Sequence, residues 1–109
     1  MTTGWGAIVK IIIDTYDPLN RRVQMDESAY RHHIIAGHPE MQDELDAIRE
    51  TVETPIVIYR SRKDTDIYIG ERGWWVVVAV DFRYPEYGVI ITAWGTNTEP
   101  PVKGATIWP

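Results

Sequence analysis

Four apolar runs in the second half of the chain constrain its fold more than any other feature. They are rich in the β-branched and aromatic residues typical of strands, and only short turn-like segments separate them. In order they are "PIVIYR" (55–60), "TDIYIG" (65–70), "WWVVVAVDF" (74–82) and "GVIITAW" (88–94). Connections this short favour a four-stranded antiparallel meander. The third run is apolar on both faces, which predicts a central strand with helices on at least one side.

The beginning of the chain predicts a strand, a loop and a second short strand. The β-branched run "GAIVKIII" (6–13) is typical of a strand. The following "DTYDPLNRR" (14–22) contains the Asp, Pro and Asn residues of turns, so we expect a loop there. "RVQM" (22–25) then predicts a short strand.

Two helices are expected between these strands and the meander. Asp26 is a good N-cap for a helix over 27–36, and Gly37 suits the left-handed conformation that commonly ends a helix. Pro39, favoured at the first helical position, opens a second helix that should end near Thr54. The apolar stripe of this second helix, at spacings of four, three and four, consists of Met41, Leu45, Ile48 and Val52.

The order of these elements predicts one α+β domain over residues 1–109. We expect the N-terminal strand and the helix pair to pack on a four-stranded antiparallel meander sheet. Residues 96–109 contain "EPP" and a final proline, so they predict an irregular tail.

Composition narrows the classes of function. The net charge is −5, which disfavours a protein that coats nucleic acid through broad electrostatics but leaves a small local site open. The chain has no cysteine, which excludes disulfides, thiolate zinc sites and cysteine nucleophiles. No apolar run is long enough to span a bilayer, and the N-terminus lacks the pattern of a secretion signal. A cytoplasmic protein that does not contact membranes is the expectation.

All three histidines, His32, His33 and His38, lie within seven positions. Adjacent helical residues point about 100° apart, and no HExxH motif is present, so we expect no metal site. The sequence also lacks a Gly-x-Ser-x-Gly elbow and a glycine-rich phosphate loop, which sets aside serine hydrolases and the common nucleotide-binding folds. General acid–base catalysis by an imidazole, with no cofactor, remains.

Metal-independent RNA cleavage requires a base for the ribose 2′-OH, an acid for the leaving 5′-oxygen and a group that stabilises the phosphorane. The sequence offers His33 on the first helix, with Tyr68 and Thr92 on neighbouring strands, as catalytic candidates. The candidates for substrate binding are His38, Arg60, Arg62 and Lys63.

Each candidate also has a purely structural interpretation. His33 shares a helix side with Ala29 and Gly37, so it is as well suited to a hydrogen-bonded structural role against the sheet. Tyr68 is ordinary for a strand, and Thr92 is the polar member of a strand face. Arg60, Arg62 and Lys63 are equally typical of charged side chains that a turn exposes to solvent.

A series of motifs resembles a known nuclease family. The motifs, in order, are "AYRHHIIAGHPEM", "TPIVIYR", "DIYIG", "WWVVVAV" and "VIITAW". Over residues 23–95 this order is similar to that of the barnase/EndoU/colicin/RelE-like domains, including phage-associated forms. The His-Pro-Glu-Met element and the Thr-Ala pair of the last strand are the more specific parts of the resemblance.

The resemblance implies a helix pair on a four-stranded antiparallel sheet and a metal-independent ribonuclease, often a toxin or a phage-associated effector. By position, it places the two family histidines at His33 and His38. It places the basic and tyrosine positions at Arg60 and Tyr68, and the hydroxyl of the final strand at Thr92. The implied partners are RNA and an inhibitor protein.

Three hypotheses of function follow. The first is a ribonuclease that cleaves RNA by histidine-assisted transesterification to a 2′,3′-cyclic phosphate, with His33 facing Thr92 across an open groove. The second is a non-catalytic binding or interaction module on the same fold. The third is a small-ligand pocket among Trp74, Trp75 and Trp94.

Overall fold

Seven strands form a single mixed sheet in the computed structural model, which describes residues 9–109. In chain order they are β1 (Ile11–Tyr16), β2 (Arg22–Asp26), β3 (Val57–Arg62), β4 (Thr65–Glu71), β5 (Trp75–Asp81), β6 (Gly88–Thr96) and β7 (Ala105–Trp108). Their spatial order is β1-β2-β6-β5-β4-β3-β7. The predicted meander is confirmed, because β3, β4, β5 and β6 pair antiparallel in sequence order. The apolar strand β5 is the central one of the seven, but the sheet has more strands than the predicted four.

Left-handed turn residues make the short connections of the meander. Asp64, between β3 and β4, has φ 65°, a conformation that aspartate tolerates better than most residues. Gly73, between β4 and β5, has φ 84°, where a residue without Cβ is favoured. The Glu71 carboxylate accepts a hydrogen bond from the Gly73 backbone N–H at 3.0 Å. Both turns therefore follow from local chemistry visible in the sequence.

The N-terminal strands extend the meander into a mixed sheet. β1 and β2 pair antiparallel, and β2 runs parallel to β6 through Val23 opposite Gly88 and Gln24 opposite Val89. The predicted loop over 14–22 is partly wrong, because β1 continues to Tyr16. Asp14 sits opposite Gln24 in the hairpin, so pairing along its length overrides the turn-like composition. The predicted strand over 6–13 begins, within the described residues, at Ile11, and residues 6–8 lie outside them.

The predicted irregular tail is wrong at its end. β7 pairs antiparallel with β3, with Thr106 opposite Tyr59. Gly104 immediately precedes this strand, and a Cβ built there would lie 1.9 Å from the Arg60 carbonyl oxygen, so only glycine permits the approach. Pro100, Pro101 and Pro109 lie close to this short strand, so the composition of the segment is typical of an irregular tail. We call residues 97–104, which connect β6 to β7, the crossover segment.

The first predicted helix is present but wound differently. Asp26 caps it as expected, its carboxylate accepting from the Ala29 N–H at 2.7 Å. An α-helical turn, α1 (Glu27–Ala29), continues into a π-helical segment (Tyr30–Ile35). The Tyr30 hydroxyl donates to the carbonyl oxygen of Met41 at 2.5 Å, which fixes this segment against the next one.

The second predicted helix is interrupted near its start. A 3₁₀ turn (Pro39–Met41) precedes α2 (Leu45–Glu53), and Asp43 between them has φ 62°, which no helix accommodates. The predicted apolar stripe is nevertheless buried at Met41, Ile48 and Val52. Within residues 9–109, no helix has the length and apolar character needed to cross a bilayer.

The sheet has two faces with different coverings. The helices cover the face that we call the helix face, whose sheet residues include Ile58, Tyr68, Val76, Val78 and Val80. The opposite side, which we call the second face, carries Tyr59, Ile67, Ile69, Val77 and Ala79 with Val57, Trp75 and Trp94 around them. Among the described elements it is the crossover segment, and not a helix, that lies against this second face. Side chains alternate along β5, which therefore contributes to both cores.

Candidate functional site

His33 and Thr92 do not face each other. His33 is exposed on the π-helical segment, and its neighbour Ile34 is buried in the core of the helix face. Thr92 pairs directly with Ala79, whose side chain belongs to the second face, and directly paired residues share a face. The sheet therefore separates the two side chains, and the expected convergence of His33 with Thr92 on one groove is wrong.

Tyr68 is buried on the helix face and is fully occupied by hydrogen bonds. Its hydroxyl donates to the Asp17 Oδ2 at 2.5 Å and accepts from the Arg21 Nη2 at 3.2 Å. Burial, and then the hydrogen bond to Asp17, raise the pKa of the Tyr68 phenol well above its ordinary range. The structure thus keeps this phenol neutral, and it places Tyr68 on the helix face and Thr92 on the second face.

Arg60 belongs to the same surroundings as Tyr68. Its Nε donates to the Asp66 Oδ1 at 2.6 Å, and Asp66 also accepts from the Arg21 Nη1 at 2.8 Å. The pKa of the Arg60 guanidinium is raised chiefly by its hydrogen bond to Asp66. Asp66 is fully buried, whereas the Arg60 side chain is half exposed. The predicted cation is therefore committed to a structural carboxylate.

These contacts form a buried ionic cluster that ties the β1–β2 turn to β4. Its members are Asp17, Arg21, Arg60, Asp66 and Tyr68. The Arg21 guanidinium also lies 4.0 Å above the ring of Phe82. Throughout residues 9–109, every buried side-chain polar atom has a hydrogen-bond partner. The cluster therefore has no buried polar atom that requires a ligand. We interpret the cluster as structural.

His38 is the histidine that approaches the second face. Its ring lies 5.8 Å, centre to centre, from that of Trp94, and its Nδ1 is 3.7 Å from the Glu40 Oε2. The same Glu40 oxygen accepts from the Gly95 backbone N–H at 3.1 Å. This carboxylate satisfies an N–H on a part of β6 that has no strand partner on its outer side. The 3₁₀ turn thus wraps around the β6 edge.

A cleft of about 700 Å³ lies between the second face and the crossover segment. Its floor is apolar and includes Tyr59, Val77 and Trp94, and Pro100 and Pro101 form part of its wall. Its remaining lining residues are Ser61, Arg62, Ile67, Thr96, Thr98, Glu99 and Lys103. Burial raises the pKa of the Tyr59 phenol, while contact with the Lys103 backbone acts in the opposite direction.

The unpaired positive charge of the described chain lies in and beside this cleft. In residues 9–109, all but three of the eleven lysine and arginine side chains form an ion pair. The three exceptions are Arg62, Lys63 and Lys103. Arg62 and Lys103 line the cleft, and Lys63 follows Arg62 in the β3–β4 turn. Of the predicted substrate-binding residues, Arg62 thus lines the cleft, and Arg60 does not.

The three tryptophans of the meander do not form one pocket. Trp75 and Trp94 belong to the second face, but Trp74 packs against the helix-face core. A Cβ built on Gly95 would lie 1.9 Å from the Trp74 Cζ3, which shows how closely that indole covers β6. The expected pocket among all three is therefore wrong, and Trp94 alone lines the cleft.

Comparison with known proteins gave no match to a family model, a curated protein or a solved structure. Within residues 9–109, no three histidine, aspartate or glutamate side chains are grouped as metal ligands would be. The cleft on the second face is the candidate functional site, because it combines an apolar floor with unpaired charge. The sequence gives a partial signal for it: two of the three unpaired cations are adjacent in the run "SRK" (61–63), where β3 ends and the turn to β4 begins.

Proposed function

We propose that this domain is a non-catalytic binding module and that the cleft on the second face is its binding site. The observation that carries the proposal is that Arg62 and Lys103, both unpaired, line a cleft with Trp94 on its floor, and that the unpaired Lys63 follows Arg62 in the chain. The other eight lysine and arginine side chains of residues 9–109 each form an ion pair. The volume of the cleft falls in the range typical of ligand sites, which are mostly apolar with a few polar groups.

The chemistry of the cleft favours a ligand with an apolar body and a negative group. Burying a flat apolar group against Tyr59, Val77 and Trp94 removes apolar surface from water on both sides, at roughly 25 cal/mol per Å². The unpaired cations Arg62 and Lys103 then attract the negative group and orient the ligand. Apolar burial and charge attraction can act on one ligand here because Trp94 and Arg62 line the same cleft.

Anilinonaphthalene sulfonate, an aromatic anion, is a suitable probe, because its fluorescence rises in apolar sites. We expect folded wild-type protein to bind it with one-site behaviour. Trp94→Ala should weaken binding at least about fivefold through loss of the aromatic contact, and Arg62→Gln about two- to fivefold through loss of charge. His33 is exposed on the π-helical segment, away from the cleft, so His33→Ala is the matched control and should bind like wild type. Equal binding by all four proteins would refute the proposal.

Ribonuclease activity is a second candidate, favoured by the position of His38. Thr92 and Trp94 are two residues apart on the same face of β6, a spacing of about 7 Å, and the His38 ring packs beside Trp94. If the chain cleaves RNA, we propose that His38 rather than His33 is the general base, with Thr92 as the nearby hydroxyl.

The test is incubation of single-stranded RNA with protein in EDTA. On the binding-module proposal, wild type leaves the RNA intact. On the ribonuclease proposal, wild type yields 2′,3′-cyclic phosphate ends, and His38→Ala and Thr92→Val lose activity while His33→Ala retains it. Cleavage that His33→Ala abolishes and His38→Ala does not would contradict both assignments.

A further inference from the structure

We infer that the natural occupant of the cleft is an extended peptide segment of a partner protein, with acidic residues at one end and an aromatic residue at the other. This inference rests on the proposed binding function of the cleft. It follows from three properties of the described residues: where the free charge lies, how far it is from Trp94, and what surrounds the cleft.

The Arg62 charge and the Trp94 indole belong to opposite sides of the cleft. Arg62 ends β3, whereas Trp94 is on β6, and β4 and β5 lie between these two strands. Three interstrand spacings of about 4.8 Å separate them by at least about 14 Å, the reach of roughly four extended residues. A small ligand depends on the long Arg62 side chain to bring its charge across this distance. A peptide with carboxylates about four residues from an aromatic side chain can span it.

The surrounding charge favours a short acidic segment over a nucleic acid. The chain carries sixteen acidic against eleven basic residues, so a polyanion that extends beyond the cleft meets a negatively charged protein. Glu99 in the crossover segment also lines the cleft, which further limits where negative charge is accepted. A peptide places one or two carboxylates beside Arg62 and Lys103 and carries no charge elsewhere.

The walls of the cleft suit a peptide backbone. Ser61, Thr96 and Thr98 line it. The Ser61 hydroxyl donates to the Thr65 carbonyl oxygen and the Thr96 hydroxyl accepts from the Thr98 N–H, which leaves Ser61 able to accept from a peptide N–H and Thr96 able to donate to a peptide C=O. Pro100 and Pro101 present an apolar wall opposite the sheet. An extended segment therefore finds polar partners for its backbone and apolar contacts for alternate side chains.

The experiment is fluorescence anisotropy with a labelled hexapeptide that has two glutamates at one end and leucine and phenylalanine at the other. The comparison ligands are the same peptide with glutamines for the glutamates, a peptide with the six residues reordered so that glutamates flank the phenylalanine, and a labelled hexauridylate. We expect the acidic peptide to bind at least about fivefold more tightly than each of the three.

Variants of the charged lining residues locate the binding. Arg62→Gln should weaken the acidic peptide about two- to fivefold and leave the glutamine peptide unchanged, whereas Glu99→Gln should strengthen the acidic peptide by a similar factor. Arg72→Gln, which removes the same charge from an arginine paired with Glu50 at 2.9 Å, is the matched control and should have no effect.

Two results would overturn the inference. One is binding of the acidic peptide that is no tighter than that of the glutamine or reordered peptide; the other is tighter binding of hexauridylate. If either occurs while Trp94→Ala still weakens dye binding as predicted, the binding function stands and only the peptide assignment fails. If the wild-type protein does not bind the dye, or if Trp94→Ala binds it as tightly as wild type, the proposed binding function fails as well.

Discussion

Asp17 is the residue whose replacement tests the structural interpretation of the ionic cluster. Its carboxylate is buried, and the Oδ1 accepts from the backbone N–H groups of Leu19 and Arg21, each at 2.9 Å. Its Oδ2 accepts from the Arg21 Nε at 2.9 Å and from the Tyr68 hydroxyl at 2.5 Å. Asp17→Asn preserves the shape and one acceptor, but it places an NH₂ donor against the two donors at Oδ2.

The expected loss of stability in Asp17→Asn follows from the donor groups of Tyr68 and Arg21 that stay buried beside the new side chain. The substitution removes a charge-assisted hydrogen bond, worth about 1.5–3 kcal/mol, and leaves the Tyr68 hydroxyl proton without its acceptor. Removing one partner of a fully buried ion pair costs about 3–5 kcal/mol, and Arg21 is about one-quarter exposed and keeps Asp66, so the lower end applies. We expect a loss of about 3 kcal/mol in the free energy of unfolding, or roughly 10–20 °C in Tm.

Urea unfolding followed by tryptophan fluorescence measures this loss, with Asp14→Asn as the matched control. Asp14 also binds one arginine through two hydrogen bonds, from the Arg22 Nε at 2.9 Å and Nη2 at 2.7 Å, but the pair is exposed. Asp14→Asn should therefore cost less than about 1 kcal/mol. Equal effects of the two substitutions, or a loss below about 1 kcal/mol for Asp17→Asn, would refute a structural role of the cluster.

Two further predictions concern stability. Because burial raises the pKa of the Tyr59 phenol in the folded protein, the unfolded phenol ionises first as pH rises above about 10, and the free energy of unfolding falls. Tyr59→Phe should make that fall shallower by up to about 1.4 kcal/mol per pH unit, measured by urea unfolding between pH 9 and 11; an unchanged slope would contradict the burial of this phenol. Gly95→Ala should cost about 1–3 kcal/mol because its Cβ collides with the Trp74 indole, whereas Gly37→Ala, with 3.9 Å of clearance, should cost less than about 1 kcal/mol in the same assay. The reverse order would show that Trp74 moves aside freely.

The meander could be predicted because each of its strands carries its own signal. Continuous β-branched runs define β3 to β6, and Asp64 and Gly73 mark two of their turns. The strand β7 could not be predicted, because its pairing depends on β3, more than forty residues earlier in the chain. The break at Asp43 was missed for a related reason: an apolar stripe at helical spacing gives no sign that one residue leaves the helix.

The site was harder to predict, because side-chain partners are distant in sequence. Tyr68 and Asp17 are 51 positions apart, so nothing local indicates that the tyrosine is hydrogen-bonded and buried. The one available signal was Asp66, a carboxylate in an apolar strand, which required a buried cation nearby. The irregularity between Ala79 and Val80 in the pairing of β5 with β6 places Ile90 on the helix face and Thr92 on the second face, although strict alternation would put both on one face.

The central claim is that ligands bind on the second face of the sheet, opposite to His33. The most direct measurement is the amide and indole NMR spectrum of the folded protein during titration with anilinonaphthalene sulfonate. We predict that the largest shifts occur at the Trp94 indole N–H and at the amides of Tyr59, Arg62 and the crossover segment, with little change over residues 30–35. Shifts concentrated around His33, with the Trp94 indole unmoved, would contradict the account.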